Sequence, residues 1–102
     1  MKRALHKEIR NDNTQKVKNI LDYATENKFI LELNEKDKDG WYPLLDAISC
    51  YNNNIEMVKL LIDYANKNKI ILELNKKNTI GLYPLLKAIY YDNIEIVKLL
   101  ID

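Results

Sequence analysis

One block of residues occurs twice in this chain. Gly40-Trp41-Tyr42-Pro43-Leu44-Leu45-Asp46-Ala47-Ile48 returns 41 residues later as Gly81-Leu82-Tyr83-Pro84-Leu85-Leu86-Lys87-Ala88-Ile89. The run Asn54-Ile55-Glu56-Met57-Val58-Lys59-Leu60-Leu61-Ile62-Asp63 returns 39 residues later, ending at Asp102, so the middle unit carries two extra residues near Tyr51-Asn52-Asn53. A weaker third copy lies upstream. Val17-Lys18 and Leu21-Asp22-Tyr23-Ala24 match Val58-Lys59 and Ile62-Asp63-Tyr64-Ala65, and Ile30-Leu31-Glu32-Leu33-Asn34 matches Ile71-Leu72-Glu73-Leu74-Asn75. A period of this length implies a supersecondary unit that cannot bury its apolar face alone, so neighbours must stack.

Each unit reads as helix, turn, helix, short strand, loop. Pro43 and Pro84 stand where a first helix begins, since proline has a fixed helical φ and no N–H to lose there. That helix runs from about Pro43 to Tyr51. Asn54 and Asn93 are placed to cap the second helix, and Glu56 and Glu95 follow in its first turn, where a negative charge suits the helix dipole. Ile70 to Leu74, rich in branched apolar residues, reads as a small strand or extended segment. In the middle second helix, Val58, Leu61, Ile62 and Ala65 form one apolar stripe, which Ile55, Met57, Leu60 and Tyr64 widen. Glu56, Lys59 and Asp63 leave only a narrow polar strip. A surface helix is apolar over about a third of its circumference, so this one is covered on more than one side.

Asp37-Lys38-Asp39-Gly40-Trp41-Tyr42-Pro43-Leu44-Leu45-Asp46-Ala47 resembles the opening of an ankyrin repeat, Asp-x-x-Gly-x-Thr-Pro-Leu-His-x-Ala. Asn54-x-Glu56-x-Val58-x-x-Leu61 resembles the second ankyrin helix. Tyr42 and Tyr83 replace the usual Thr, and Leu45 and Leu86 replace the usual His, so the hydrogen bonds of those two groups are missing. The unit is also longer than the usual length of about 33, with the excess around Asn66 to Leu74. The resemblance implies a mainly α solenoid of ankyrin type, with short extended segments between helix pairs, and a protein-binding scaffold or adaptor role. Residues 1–102 then form one repeat domain, with a capping unit at about 1–39, a full unit at 40–80 and an incomplete one at 81–102.

The first copy differs from the others by polar replacements. Thr14, Lys16 and Asn19 stand where later copies have Ile55, Met57 and Leu60. His6 and Glu8 stand where the middle copy has Leu45 and Ala47. This reads as a capping repeat whose outer face meets water. The last copy keeps Val97, Leu100 and Ile101, which reads as an uncapped assembly face. Such a face reads in three ways: as the edge of a longer array, as the contact of a self-assembling subunit that associates through its C-terminal face, which is the alternative function, or as a surface that another protein completes.

Nothing in the sequence marks a catalyst, a cofactor or a metal. His6 is the one histidine and Cys50 the one cysteine, and a metal site needs several such ligands. No Gly-rich phosphate loop or nucleophile motif occurs. With 16 basic and 15 acidic residues the net charge is +1, which gives no field to hold nucleic acid. Lys67, Lys69, Lys76 and Lys77 read as a solvated surface. No apolar run reaches the roughly 20 residues that span a bilayer, and Met1 to Arg10 is charged, unlike a secretory signal. The single cysteine fits a reducing, cytoplasmic setting.

The aromatic residues are the candidates for binding a protein partner, because large side chains with a polar handle anchor interfaces. Trp41, Tyr42, Leu82 and Tyr83 lie at the loop-to-helix corners. Tyr51, Tyr90 and Tyr91 lie at the ends of first helices. For Tyr42 and Tyr83 the favoured alternative is that they fill space left by the missing Thr and His. Positions that differ between copies, Trp41/Leu82, Asp46/Lys87 and Ser49/Tyr90, are where specificity is expected.

Overall fold

A computed structural model of the chain describes residues 2–48, 54–72, 77–90 and 94–101. Among these the helices are α1 Lys2–Arg10, α2 Thr14–Glu26, α3 Pro43–Ile48, α4 Ile55–Lys67, α5 Pro84–Tyr90 and α6 Ile94–Ile101. They pack in pairs: α1 on α2, α3 on α4, α5 on α6. First helices also pack on first helices (α1 on α3, α3 on α5), and second on second (α2 on α4, α4 on α6). This is a mostly helical solenoid of three stacked pairs.

Local chemistry sets the ends of the helices. Pro43 and Pro84 open α3 and α5, and the carbonyls of Tyr42 and Tyr83 accept the first helical N–H groups, from Asp46 and Lys87. Asn54 caps α4, its side chain accepting the Met57 N–H at 3.0 Å. Asn93 lies outside the described residues. The second helices α2 and α4 both stop at a lysine with left-handed backbone, Lys28 at φ 57° and Lys69 at φ 56°. There the Phe29 and Ile70 N–H groups reach back to the carbonyls of Ala24 and Ala65. Those bonds satisfy carbonyls that the helix end leaves without partners.

The core follows the sequence pattern. Met57, Val58, Leu61, Tyr64 and Ala65 are buried on α4, with Ile55, Leu60 and Ile62 half-buried and Glu56, Lys59 and Asp63 exposed. The helix is therefore covered on two sides, by α2 and by α6.

The strand expected after each second helix does not form among the described residues. Burial alternates as in a strand, with Leu31 and Leu33 in and Ile30 and Glu32 out. What is missing is a ladder. Successive segments are joined by a side-chain bond, from Asn34 Nδ2 to the Ile71 carbonyl at 2.7 Å. A strand needs paired backbone groups, and these segments supply a foothold for side chains instead. Leu74, the last residue of the expected strand, lies outside the described residues.

The turns before α3 and α5 are built alike. One side-chain oxygen, on Asp37 or Asn78, accepts two backbone N–H groups: from Asp39 and Trp41 in the first turn, from Ile80 and Leu82 in the second. Gly40 and Gly81 both have positive φ, 83° and 85°. Their surroundings differ. A Cβ on Gly40 would lie 2.8 Å from the Asn78 Cα, whereas one on Gly81 would meet nothing within 4 Å. Gly40 is thus where one turn presses on the next, and Thr79 N–H donates to the Asp39 carbonyl beside it at 3.0 Å. Gly81→Ala is expected to cost about 1 kcal/mol for backbone strain alone. Gly40→Ala adds a backbone clash and is expected to cost about 2–3 kcal/mol. Urea denaturation of the two variants measures the difference.

Candidate functional site

The corner residues sort by burial. Tyr42 is wholly buried and belongs to the core, which agrees with the favoured space-filling reading and corrects its place among the candidates for touching a partner. Tyr83 is half-buried. Trp41 and Leu82 are partly buried and rest on the core cluster, leaving part of each side chain in solvent. Tyr90 closes α5 through its backbone, but its side chain, with Tyr51, Tyr91, Ser49 and Cys50, lies outside the described residues.

A charged cluster joins the first pair to the second. Asp46 is buried, its side chain 2% exposed. It accepts Arg10 Nε at 3.1 Å and stands 3.0 Å from His6 Nδ1. Arg10 Nη2 donates to Asp37 Oδ2 at 2.6 Å, so one guanidinium ties the first turn to α1 and α3. Partial burial pushes the Asp37 carboxyl up, but the Arg10 guanidinium and the N–H groups of Trp41 and Asp39 outweigh it. Its pKa lies below the usual carboxylate value. Two sequence expectations change here. His6 is mostly turned toward the second unit, and Asp46, which stands where the next copy has Lys87, is buried in this bond network.

A second junction makes the same point. Asn54 Nδ2 donates to Asp12 Oδ1 and to Thr14 Oγ1, each at 2.7 Å, while its Oδ1 caps α4. Thr14 therefore also faces inward. Of the polar replacements in the first unit, Lys16 and Asn19 are the ones exposed on the outer side. Glu8 is largely buried, with one oxygen 3.9 Å from Lys16 Nζ.

Beside the charged cluster runs a groove of ≈ 480 Å³, lined by His6, Lys7, Arg10 and Asn11 of the first unit and by Glu35, Lys36 and Asp37 of the turn. Lys7 and Lys36 are exposed there. The groove offers charged groups of both signs along its lining residues.

At the far end of the stack Val97 is half-buried, Leu100 is buried and Ile101 is 70% exposed. Leu100 thus packs back against the preceding unit, which corrects its assignment to the outer face. Two residues of α5 belong there instead: Leu86 is 37% and Ile89 59% exposed. Their repeat counterparts Leu45 and Ile48 are buried, and comparing those positions would have found them. Sequence reasoning also missed Arg10 and Asp37, which look like ordinary surface charges until the turn folds onto α1. It missed the exposed aromatic pair Tyr23 and Phe29 too, whose rings meet edge-on at 6.0 Å.

A chain of helix pairs, each covering the last and joined by glycine turns, defines a helical-repeat protein. The turn and helix residues say which kind. The family model for ankyrin repeats, in three copies, matches residues 5–102, and this chain belongs to that family. Ankyrin repeats are in general protein–protein interaction modules and are typically not catalysts. A search of the curated proteins finds no match. Among the described residues no helix is long and apolar enough to cross a membrane.

Asp46→Ala leaves Arg10 with one carboxylate and His6 without its acceptor, and is expected to cost about 2 kcal/mol in urea denaturation, below the figure for a fully buried pair because Arg10 stays half in solvent. The Asp37 bonds act through pH. A carboxyl with a lowered folded pKa stabilises fully above its unfolded value of about 4 and loses that contribution as pH falls through the folded value. Melting of wild type and Asp37→Asn is therefore expected to differ at pH 6 and to converge toward pH 3.

Proposed function

We propose that this chain is a protein-binding scaffold or adaptor without catalytic activity of its own, acting as a single domain of three units. Its partner lies in the charged groove between α1 and the first turn, with Trp41 as the anchor at that corner. The observation that carries this is the groove itself. Its residues come from two elements held together by Arg10, which bonds Asp37 and Asp46 at once. A groove whose walls are already fixed loses little entropy on binding. Trp41 is bonded to Asp37 through its N–H and its carbonyl, so its backbone is held at the same corner. Leu82 and Tyr83 extend the surface to the next corner, and Tyr51, Tyr90 and Tyr91 remain candidates on the strength of their type. The balanced charge favours a protein over nucleic acid, and the single cysteine favours the cytoplasm.

A second reading is self-association, motivated by the exposure of Ile89, Ile94 and Ile101 on α5 and α6.

Selection of binders from a displayed peptide library against the immobilised chain tests the groove. Bound peptides are expected to lose about tenfold in affinity with Lys7→Glu or Trp41→Ala, the range for an anchor residue. They should be indifferent to Ile71→Lys, on an exposed residue away from the groove. Peptides that ignore both groove variants overturn the assignment.

A further inference from the structure

The groove between α1 and the first turn is lined by charges of both signs, but they are not equally available. Asp37 has used both carboxylate oxygens. Oδ1 accepts the N–H groups of Asp39 and Trp41, and Oδ2 accepts Arg10 Nη2. Glu35 is half-buried and already partnered. The Arg10 guanidinium is shared between Asp37 and the buried Asp46, and His6 Nδ1 stands 3.0 Å from the same Asp46. What remains are the ammonium groups of Lys7 and Lys36. Both are exposed, both line the groove, and neither has an ion pair among the described residues. The lining is mixed in charge, and its unfilled capacity is positive.

The surroundings of those two groups decide which anion suits them. Lys7 and Arg10 stand in the last turn of α1, where the helix dipole presents negative partial charge. Phosphate groups are held at the opposite end of a helix, or by the two-pronged fork of an arginine. Here the fork is taken by two aspartates. A carboxylate carries a single charge, and a lysine meets it as a point charge without a fixed geometry. Asn11 is exposed at the same groove, and its side-chain amide is unbonded among the described residues. That amide offers a donor and an acceptor, the complement of a peptide group.

We propose that the groove takes an acidic peptide segment, its carboxylates meeting Lys7 and Lys36 and its backbone meeting Asn11. The proposal rests on the groove reading and adds the charge of the occupant to it. A basic segment would bring its cations against two unpaired ammonium groups while the carboxylates of the groove are occupied, and like charges across an interface select against a partner. Exposed ion pairs are individually weak, so these two act on selectivity and on the rate of association more than on total affinity.

The test is a selection of short random peptides, displayed and captured on the immobilised chain. Peptides are kept where Trp41→Ala or Lys7→Glu changes their affinity in either direction, which marks occupants of the groove without favouring either sign of charge. The expected sequences carry net negative charge. By fluorescence anisotropy they lose about tenfold in affinity with Lys7→Glu and with Lys36→Glu, which turn an attraction into a repulsion, and about threefold with Lys7→Gln and Lys36→Gln. Lys59→Glu makes the same change in net charge on α4, away from the groove, and leaves affinity unchanged. All three lysines are exposed, so the variants should fold, and their helical circular dichroism checks that they do. Groove peptides that are neutral or basic, or that Lys59→Glu weakens as much as the groove variants do, overturn the acidic assignment while the groove reading stands. A selection that yields only peptides indifferent to both Trp41→Ala and Lys7→Glu overturns the groove reading and the proposal with it. A uridine oligonucleotide that binds more tightly than every selected peptide, and is lost with Lys7→Glu and Lys36→Glu, makes the groove a nucleic-acid site and overturns both.

Discussion

Every helix pair here depends on its neighbour to finish burying it. No pair in this chain is thick enough to hide both sides of its second helix, so the apolar side chains of one unit are covered by the next. The burial of Leu45 and Ile48, against the exposure of Leu86 and Ile89, is that dependence seen at single residues. In stacked repeats stability is the sum of weak units and strong interfaces. The turns contribute to the same stacking. Gly40 has no side chain because the Asn78 backbone occupies the place where one would be.

The two interfaces inside the stack are made differently. Between the second and third units α3 packs on α5, and the residue of α3 at this repeat position is the buried Leu45. Between the first and second, the same position is His6, and it meets a buried carboxylate held also by Arg10. Asn54 adds a second polar junction, capping its own helix with one atom and reaching Asp12 and Thr14 with another. Apolar contacts are non-directional and tolerate small slips. Hydrogen bonds between charged groups need their partners at set distances and angles.

These differences explain what could and could not be read in the sequence. The period, the helix pairs, the Asn54 cap and the proline starts were legible because each depends on local spacing or on one residue's backbone chemistry. The burial of α4 was legible because its apolar positions wrap most of the helix. The polar residues of the first unit were harder. Their type says that an apolar contact has been replaced, but not whether water or a buried partner replaces it. Lys16 meets water, while His6 and Thr14 meet the second unit. Tyr42 was legible only as a preference for filler over anchor, since a tyrosine at a corner can be either and the depth of the corner decides. The missing strand is a pairing question. Alternation of Leu31 and Leu33 with Ile30 and Glu32 was present, but a ladder needs a neighbour with matching backbone groups.

The polar junctions also bear on binding. Arg10 is fixed by Asp37 on one side and Asp46 on the other, and Asp37 is in turn the residue that closes the turn through Asp39 and Trp41. One chain of bonds thus runs from the buried interface, through the groove wall, to the aromatic corner. In the proposed binding mode, a partner entering the groove would meet walls whose positions are set by the packing of the first two units, with Lys7 and Lys36 left exposed. Fixed walls lower the entropic cost of association, and exposed ammonium groups can adapt to the partner's acceptors. The polar interface that gives up apolar area between the first two units is, on this argument, what makes the neighbouring groove a preorganised surface.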